Sequence, residues 1–204
     1  KECQQRSQKV FKESPQLVSF KLSCKNKDIW RPQGCSGMNK AYILIGGNLG
    51  DRANYLQAAQ SLVEQKLGRL LQKSPIYETA AWGKEDQPPF LNQVLWIETS
   101  LDPLSLLNGL LHIEQVLGRY RAEKNGPRII DLDILFYNQW ILHLPGLEIP
   151  HPRIPQRRFV LAPMTDIAPD FRHPVLNKSM SELLALCTDP LIVHKWEPPV
   201  QNKD

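Results

Sequence analysis

The run Gly126-Pro127-Arg128-Ile129-Ile130-Asp131-Leu132-Asp133-Ile134-Leu135-Phe136 constrains this chain most. Two carboxylates alternate through a stretch that is otherwise branched and apolar, the pattern of a β-strand. Residues i and i+2 of a strand share a face. Asp131 and Asp133 are therefore expected side by side, with Ile130, Leu132, Ile134 and Phe136 turned into a core. Like charges that close repel each other, so a cation is expected to hold them. Two carboxylates suit Mg²⁺, a hard ion that takes oxygen ligands and shares them with substrate phosphates. Arg128 lies on the other parity beside the pair, after a Gly-Pro turn, where it can meet an anion.

The chain has 204 residues, enough for one sizeable domain. It contains no apolar run long enough to span a membrane. The net charge of +4 fits an anionic small-molecule ligand and argues little for nucleic acid. Cys3, Cys24, Cys35 and Cys187 show no C-x-x-C spacing, so free thiols in a reducing, cytoplasmic compartment are expected rather than zinc. Residues 1–37 are rich in Lys, Gln and Ser without sustained periodicity, and read as an N-terminal extension, disordered or foreign to the domain. Met38 directly precedes the first clear strand and reads as a natural start, leaving residues 38–204 as a single domain.

From there the pattern is regular. Ala41 to Ile45 reads as a buried strand, followed by a turn with Asp51 as helix N-cap. Tyr55, Leu56, Ala59, Leu62, Val63 and Leu67 recur at helical spacing, closed by Gly68. Leu70 to Tyr77 is a second strand, broken at Pro75, and Phe90 to Thr99 a third. Pro103 opens a second helix that Gly118 closes, and the Asp131 run is the fourth strand. The order β-α-β-β-α-β predicts an α+β, ferredoxin-like core, one antiparallel sheet covered by two helices on one face. The Pro-rich remainder is expected to add a hairpin near Trp140 to Ile149, a helix after Pro155, and another around Ser179 to Cys187.

Several residues could carry chemistry. Gly46-Gly47-Asn48-Leu49-Gly50 lacks the endings of a phosphate loop or dinucleotide fold and reads as a tight turn. Phosphate would then be held by side chains and metal. Arg119, Arg121 and Lys124 precede Arg128, while Arg153, Arg157 and Arg158 follow Pro150-His151-Pro152. Arginine supplies forked, charge-assisted donors to a polyphosphate. Glu114 lies in the helix before the basic loop, suited to a salt bridge or to a polar contact with a nucleotide. Thr79, Ala80, Trp82, Phe90 and Asn92 offer aromatic faces and an amide to a flat heteroaromatic ligand.

Taken together, these residues resemble the 6-hydroxymethyl-7,8-dihydropterin pyrophosphokinase family of folate biosynthesis. The likeness runs from about Asn39 to about Phe171. It includes Ile45 to Asp51, Asp86 to Asn92, Ile113-Glu114, Gly118-Arg119-Tyr120-Arg121 and the whole Gly126 to Phe136 run. The resemblance implies transfer of diphosphate from ATP to the pterin hydroxymethyl group, releasing AMP. It implies that Asp131 and Asp133 bind two Mg²⁺ ions, with Arg119 and Arg128 beside them in catalysis. Glu114, Arg119, Arg121, Arg128, Ile134, His151 and Arg157 are implied as ATP contacts. Thr79, Ala80, Trp82, Phe90, Asn92, Asp131 and Phe159 are implied as the pterin pocket. A monomer acting on these two small molecules, without nucleic acid or membrane, is expected. Departures from the family pattern are Asn125, where some members carry a lid Trp, a loop one residue shorter between Arg119 and Gly126, and Pro152. Two other readings use the same residues: a different Mg-dependent nucleotidyl transferase, and a non-catalytic ferredoxin-like binding module.

Overall fold

A computed structural model describes residues 37–80, 87–119 and 126–198. The expected N-terminal extension, apart from Gly37, therefore lies outside the described residues, as do Trp82, Arg121, Lys124 and Asn125.

The expected element order is present. Strand β1 covers Asn39–Gly47, helix α1 Arg52–Lys66, β2 Arg69–Lys73, β3 Tyr77–Thr79 and β4 Phe90–Thr99. Helix α2 covers Pro103–Val116 and strand β5 Asp131–Tyr137. The sheet runs β5-β1-β4-β3, with β2 also paired to β4, and the pairs of β1, β2, β3 and β4 are antiparallel. This is the ferredoxin-like order. The break expected at Pro75 separates β2 from β3. Asp51 caps α1 by accepting the Asn54 N–H, and Asp102 caps α2 by accepting from Leu104 and Ser105. Such caps contribute about 0.5–2 kcal/mol each.

The remainder adds the expected hairpin, β6 (Leu142–Leu144) and β7 (Leu147–Ile149), and two helices, α3 (Arg158–Ile167) and α4 (Met180–Leu186). A capping box between Ser179 and Glu182 starts α4. Strand β8 (Val193–Lys195), which the sequence reading did not include, pairs with the outer edge of β3.

The sheet carries a core on each face. One contains Ile43, Ile45, Leu95, Ile97, Leu132 and Ile134 with Leu56, Val63, Leu106 and Leu110 of α1 and α2. The other contains Tyr42, Leu44, Val94 and Phe136 with Val160, Leu161, Met164, Met180 and Leu183 of α3 and α4. The two core helices, α1 and α2, thus lie on one face as expected, and the added C-terminal helices cover much of the second.

Phe136 is buried in a core as expected, but on the other face. It does not share a face with Leu132 and Ile134. The pairing of β5 with β1 shifts register, since Ile134 faces Ile43 while Phe136 faces Tyr42. Leu135 is the extra residue of this bulge, and it turns Phe136 to the opposite face.

Candidate active site

The register sets out the site in rows across the sheet. Asp131 lies opposite Gly46, which lies opposite Asn92, which lies opposite Tyr77. The next row is Asp133, Leu44 and Val94, and the next Phe136, Tyr42 and Trp96. All three rows face the α3 side. At the Phe136 end they are core, with Trp96 partly buried, and at the Asp131 end they form the floor of a cavity.

This cavity has a volume of about 260 Å³. Gly46, Asn92, Asp131 and Asp133 lie in its floor, Thr79, Ala80, Gln87 and Phe90 along one side, and His151, Arg153, Arg157 and Phe159 along another. A side chain at Gly46 would close the floor, since its Cβ would stand 2.4 Å from Asn92 Oδ1. Gly46 and Gly47 are strand residues rather than the expected turn, and their smallness serves close approach. Gly50, with φ of 65°, is the turn glycine.

Asp131 is held by two guanidinium groups. Arg119 Nη1 reaches its Oδ1 and Arg128 Nη1 its Oδ2, each at 2.5 Å. Arg119 also pairs with Glu114. Glu114 is buried and accepts the backbone N–H of Leu132, between the two aspartates, at 2.8 Å. Burial pushes Glu114 up to about 7, against the opposing pull of the Leu132 N–H and Arg119. Burial, then the neighbouring charge of Asp131, pushes Asp133 up to about 6, opposed by Arg157, Arg119 and Arg128.

Arg128 also lies over the Phe90 ring, 5.8 Å from its centroid, and Arg157 lies 5.4 Å from that of Phe159. The Arg128 Nε is buried without a hydrogen-bond partner. Asn92 Nδ2 is 3.3 Å from Thr79 Oγ1, joining two of the expected ring-pocket residues.

His151 is fixed at both ends. Its N–H donates to the carbonyl of the bulged Leu135 at 3.0 Å, and its Nδ1 accepts the Arg153 N–H at 3.2 Å. The ring proton is therefore on Nε2 when the imidazole is neutral. Burial, with Arg157 and Arg153 nearby, pulls His151 down to about 4, so the neutral form holds at physiological pH.

Of the expected site residues, Thr79, Ala80, Phe90, Asn92, Arg128, Asp131, Asp133, His151, Arg157 and Phe159 converge on the cavity. Arg119 and Glu114 stand behind Asp131. Ile134 lies in the core against α1 and α2. Trp82 and Arg121 fall outside the described residues. Leu44 and Gln87 line the cavity without having been singled out as ligand contacts. Strand alternation from Gly46 could have indicated Leu44. Among the described residues, no group of three or more His, Cys, Asp or Glu is placed to hold a metal.

The fold and site define an α+β, ferredoxin-like protein whose sheet presents paired carboxylates and arginines beside aromatic faces. A family model described as 7,8-dihydro-6-hydroxymethylpterin-pyrophosphokinase (HPPK) matches residues 42–169. The 2-amino-4-hydroxy-6-hydroxymethyldihydropteridine pyrophosphokinase of Pseudomonas aeruginosa is 41% identical over 151 residues, covering 74% of this chain and 93% of its own. The enzyme of the same name from Bacillus subtilis is 47% identical over 130 residues, covering 63% and 78%. The folic acid synthesis protein fol1 of Schizosaccharomyces pombe is 41% identical over 145 residues and much longer, so the chain covers 71% of itself and 20% of that protein. A crystal structure of Plasmodium falciparum HPPK-DHPS superposes with a TM-score of 0.61 at 21% identity, covering 74% of this chain and 43% of that one, a likeness of fold. The chain belongs to the HPPK family, a family of pyrophosphokinases, or diphosphotransferases, of folate biosynthesis. Membership disfavours the two rival readings, a different nucleotidyl transferase and a non-catalytic module.

Proposed function

We propose that this chain transfers the β,γ-diphosphate of ATP to the hydroxymethyl oxygen of 6-hydroxymethyl-7,8-dihydropterin, releasing AMP. The observation that carries this reading is the row Asp131–Gly46–Asn92, which sets a phosphate-side carboxylate and a ring-side amide across one open floor. In the reaction the pterin oxygen bonds to the β-phosphorus, the bond from that phosphorus to the α,β-bridging oxygen breaks, and the hydroxyl loses its proton.

Asp131 and Asp133 would hold Mg²⁺, two ions by the family resemblance. Two carboxylates on one strand face suit a hard ion that draws its other ligands from water and phosphate oxygens. The metal would neutralise charge on the phosphates. The protein's own part is positioning and electrostatics. Arg128, Arg157 and a neutral His151 line the cavity and offer donors to the phosphates, with Arg119 behind Asp131 and Arg121 assigned by the family resemblance alone. Phe90 and Phe159 offer ring faces to the pterin, with Thr79, Ala80 and Asn92 around its edge, and Trp82 is assigned to the same pocket by the family resemblance alone. Asp131 is the candidate to assist loss of the hydroxyl proton. Glu114 and Ile134 belong to the nucleotide side by resemblance.

A monomer built as one domain over residues 38–204, acting in the cytoplasm on these two small molecules without nucleic acid, completes the proposal. The mild charge of +4 and the free Cys187 thiol support it. Among the described residues, no helix is long and apolar enough to cross a membrane.

The test is AMP release from ATP, Mg²⁺ and the dihydropterin, with Asp133→Ala alongside. Wild type should release AMP, and the folded variant should not. No AMP from the folded wild type would sink the reaction, and retained turnover in the variant would sink the metal assignment.

A further inference from the structure

Asn48 follows β1 at the corner between Gly47 and α1, and it is 2% exposed. It does not line the cavity. Its amide nevertheless reaches both sides of it. On one side, Asn48 Oδ1 accepts the Arg128 N–H at 2.8 Å, and the Asn48 N–H donates to the Arg128 carbonyl at 2.9 Å. The Leu49 N–H donates to that same carbonyl at 3.3 Å. The main chain of Arg128 is therefore gripped at both its N–H and its C=O from this corner. On the other side, Asn48 Nδ2 donates to the Pro88 carbonyl at 3.2 Å and to Gln87 Oε1 at 3.4 Å. Gln87 and Pro88 lead directly into Phe90 and Asn92.

The corner has no slack. A Cβ on Gly47 would come within 2.1 Å of the Ile129 carbonyl oxygen, so the strand start after Arg128 is in close contact with β1. A buried amide has one acceptor and one donor group, and here each is committed to a different half of the site. An alanine side chain could serve neither half, leaving only the main-chain donors of residues 48 and 49 on the Arg128 carbonyl, and aspartate could serve the acceptor half alone.

We propose that Asn48 is a positioning residue that holds the phosphate-side Arg128 and the ring-side segment Gln87–Phe90 in one mutual geometry. This rests on the substrates assigned under the proposed function. Asn48 touches neither substrate and acts through the two segments it ties together. Order gained at one segment is therefore transmitted to the other, and filling the ring side tightens the Arg128 main chain.

Two variants separate the two ends. Asn48→Asp keeps an oxygen for the Arg128 N–H, loses the donor, and sets a carboxylate against two oxygens, Pro88 O and Gln87 Oε1. Asn48→Ala loses both. Each is titrated by calorimetry with an α,β-methylene analogue of ATP in Mg²⁺, and separately with 6-hydroxymethylpterin, after circular dichroism has confirmed folding. Asn48→Asp should weaken the pterin by about 10-fold or more and the nucleotide analogue by less than about 3-fold, whereas Asn48→Ala should weaken both by about 10-fold. Equal loss of both ligands in Asn48→Asp, or no loss in Asn48→Ala, overturns the proposal. Hydrogen exchange on the wild type requires no variant to fold. With 6-hydroxymethylpterin alone bound, the Arg128 amide should exchange about 10-fold more slowly, and an unchanged rate also overturns the proposal. These readouts are binding and exchange. A chain that shows them yet releases no AMP would refute the proposed reaction and leave the role of Asn48 standing.

Discussion

Arg128 Nη1 lies 2.5 Å from Asp131 Oδ2, three residues along the same chain, while the Nε of the same guanidinium is buried without a partner. One arm of the fork thus holds a proposed metal ligand, while the residue itself lines the cavity proposed to take the phosphates. The pairing also accounts for two carboxylates standing two residues apart. The Coulomb repulsion that the alternation implies is offset at Asp131 by Arg128 and Arg119.

Arg128→Lys should therefore not behave as a conservative change. An ammonium has no planar fork and cannot both meet Asp131 and offer a second donor in the same plane. Turnover per encounter, kcat/KM, should fall by about 10²–10³-fold, most of it in kcat. Steady-state AMP formation measures this. A loss below about 10-fold would show that the fork geometry is not used.

Gly47→Ala should destabilise the fold more than Gly46→Ala. The added Cβ at Gly47 meets main chain, Ile129 O at 2.1 Å and Ile129 C at 2.8 Å, which cannot rotate away. At Gly46 the nearest atom is the end of the Asn92 side chain, which can. A loss of about 2–3 kcal/mol is expected for Gly47→Ala. Gly46→Ala should instead lose pterin affinity by filling the cavity floor. Urea unfolding of both variants, with pterin titration of the second, tests the contrast.

Glu114 should give stability a pH dependence. Its folded pKa, about 7, lies above the ordinary 4.5. The folded state binds the extra proton between those values, so this contribution is full below 4.5 and lost as pH rises through 7. Glu114→Gln keeps an acceptor for the Leu132 N–H and should flatten that slope. Glu114→Ala leaves the N–H buried and unpaired, at a cost of about 1–3 kcal/mol. Urea unfolding of the three proteins at pH 5 and pH 8 distinguishes these outcomes.

His151 should act in the opposite sense. Its pKa is depressed to about 4 from 6.5, so the folded state binds fewer protons between those values. That contribution is full above 6.5 and lost as pH falls through 4. The groups facing it include Arg157, Arg153 and Asp131. An NMR titration of the His151 ring should show its midpoint near 4 and no inflection at 6.5. A midpoint near 6.5 would show that the ring is solvated and free to charge.

Much of the site was legible because its signals are local. Asp131 and Asp133 alternate within one strand, and the two prolines of Pro150-His151-Pro152 restrict the backbone around the histidine locally. The same reasoning went astray at Phe136, because the bulge at Leu135 depends on pairing with β1, some 90 residues earlier, a register no period-2 pattern contains. It missed β8 because three residues, Val193–Lys195, form a strand only where the edge of β3 offers free hydrogen-bonding groups. Asn48 read as a turn residue because its partners, Gln87, Pro88 and Arg128, are 39 to 80 residues away.

Local pattern in the chain sets the order of β1 to β5 with their two helices, the cap at Asp51, and the side-by-side carboxylates of β5. Each follows from spacing within one strand or helical turn. It is the packed fold that sets Gly46 between Asp131 and Asn92, brings Arg119 onto Asp131, and bonds Asn48 to both sides of the site. Those relations join segments distant in the chain. They are set by sheet register and by the exclusion of overlapping atoms at Gly46 and Gly47, and neither is encoded within a single element.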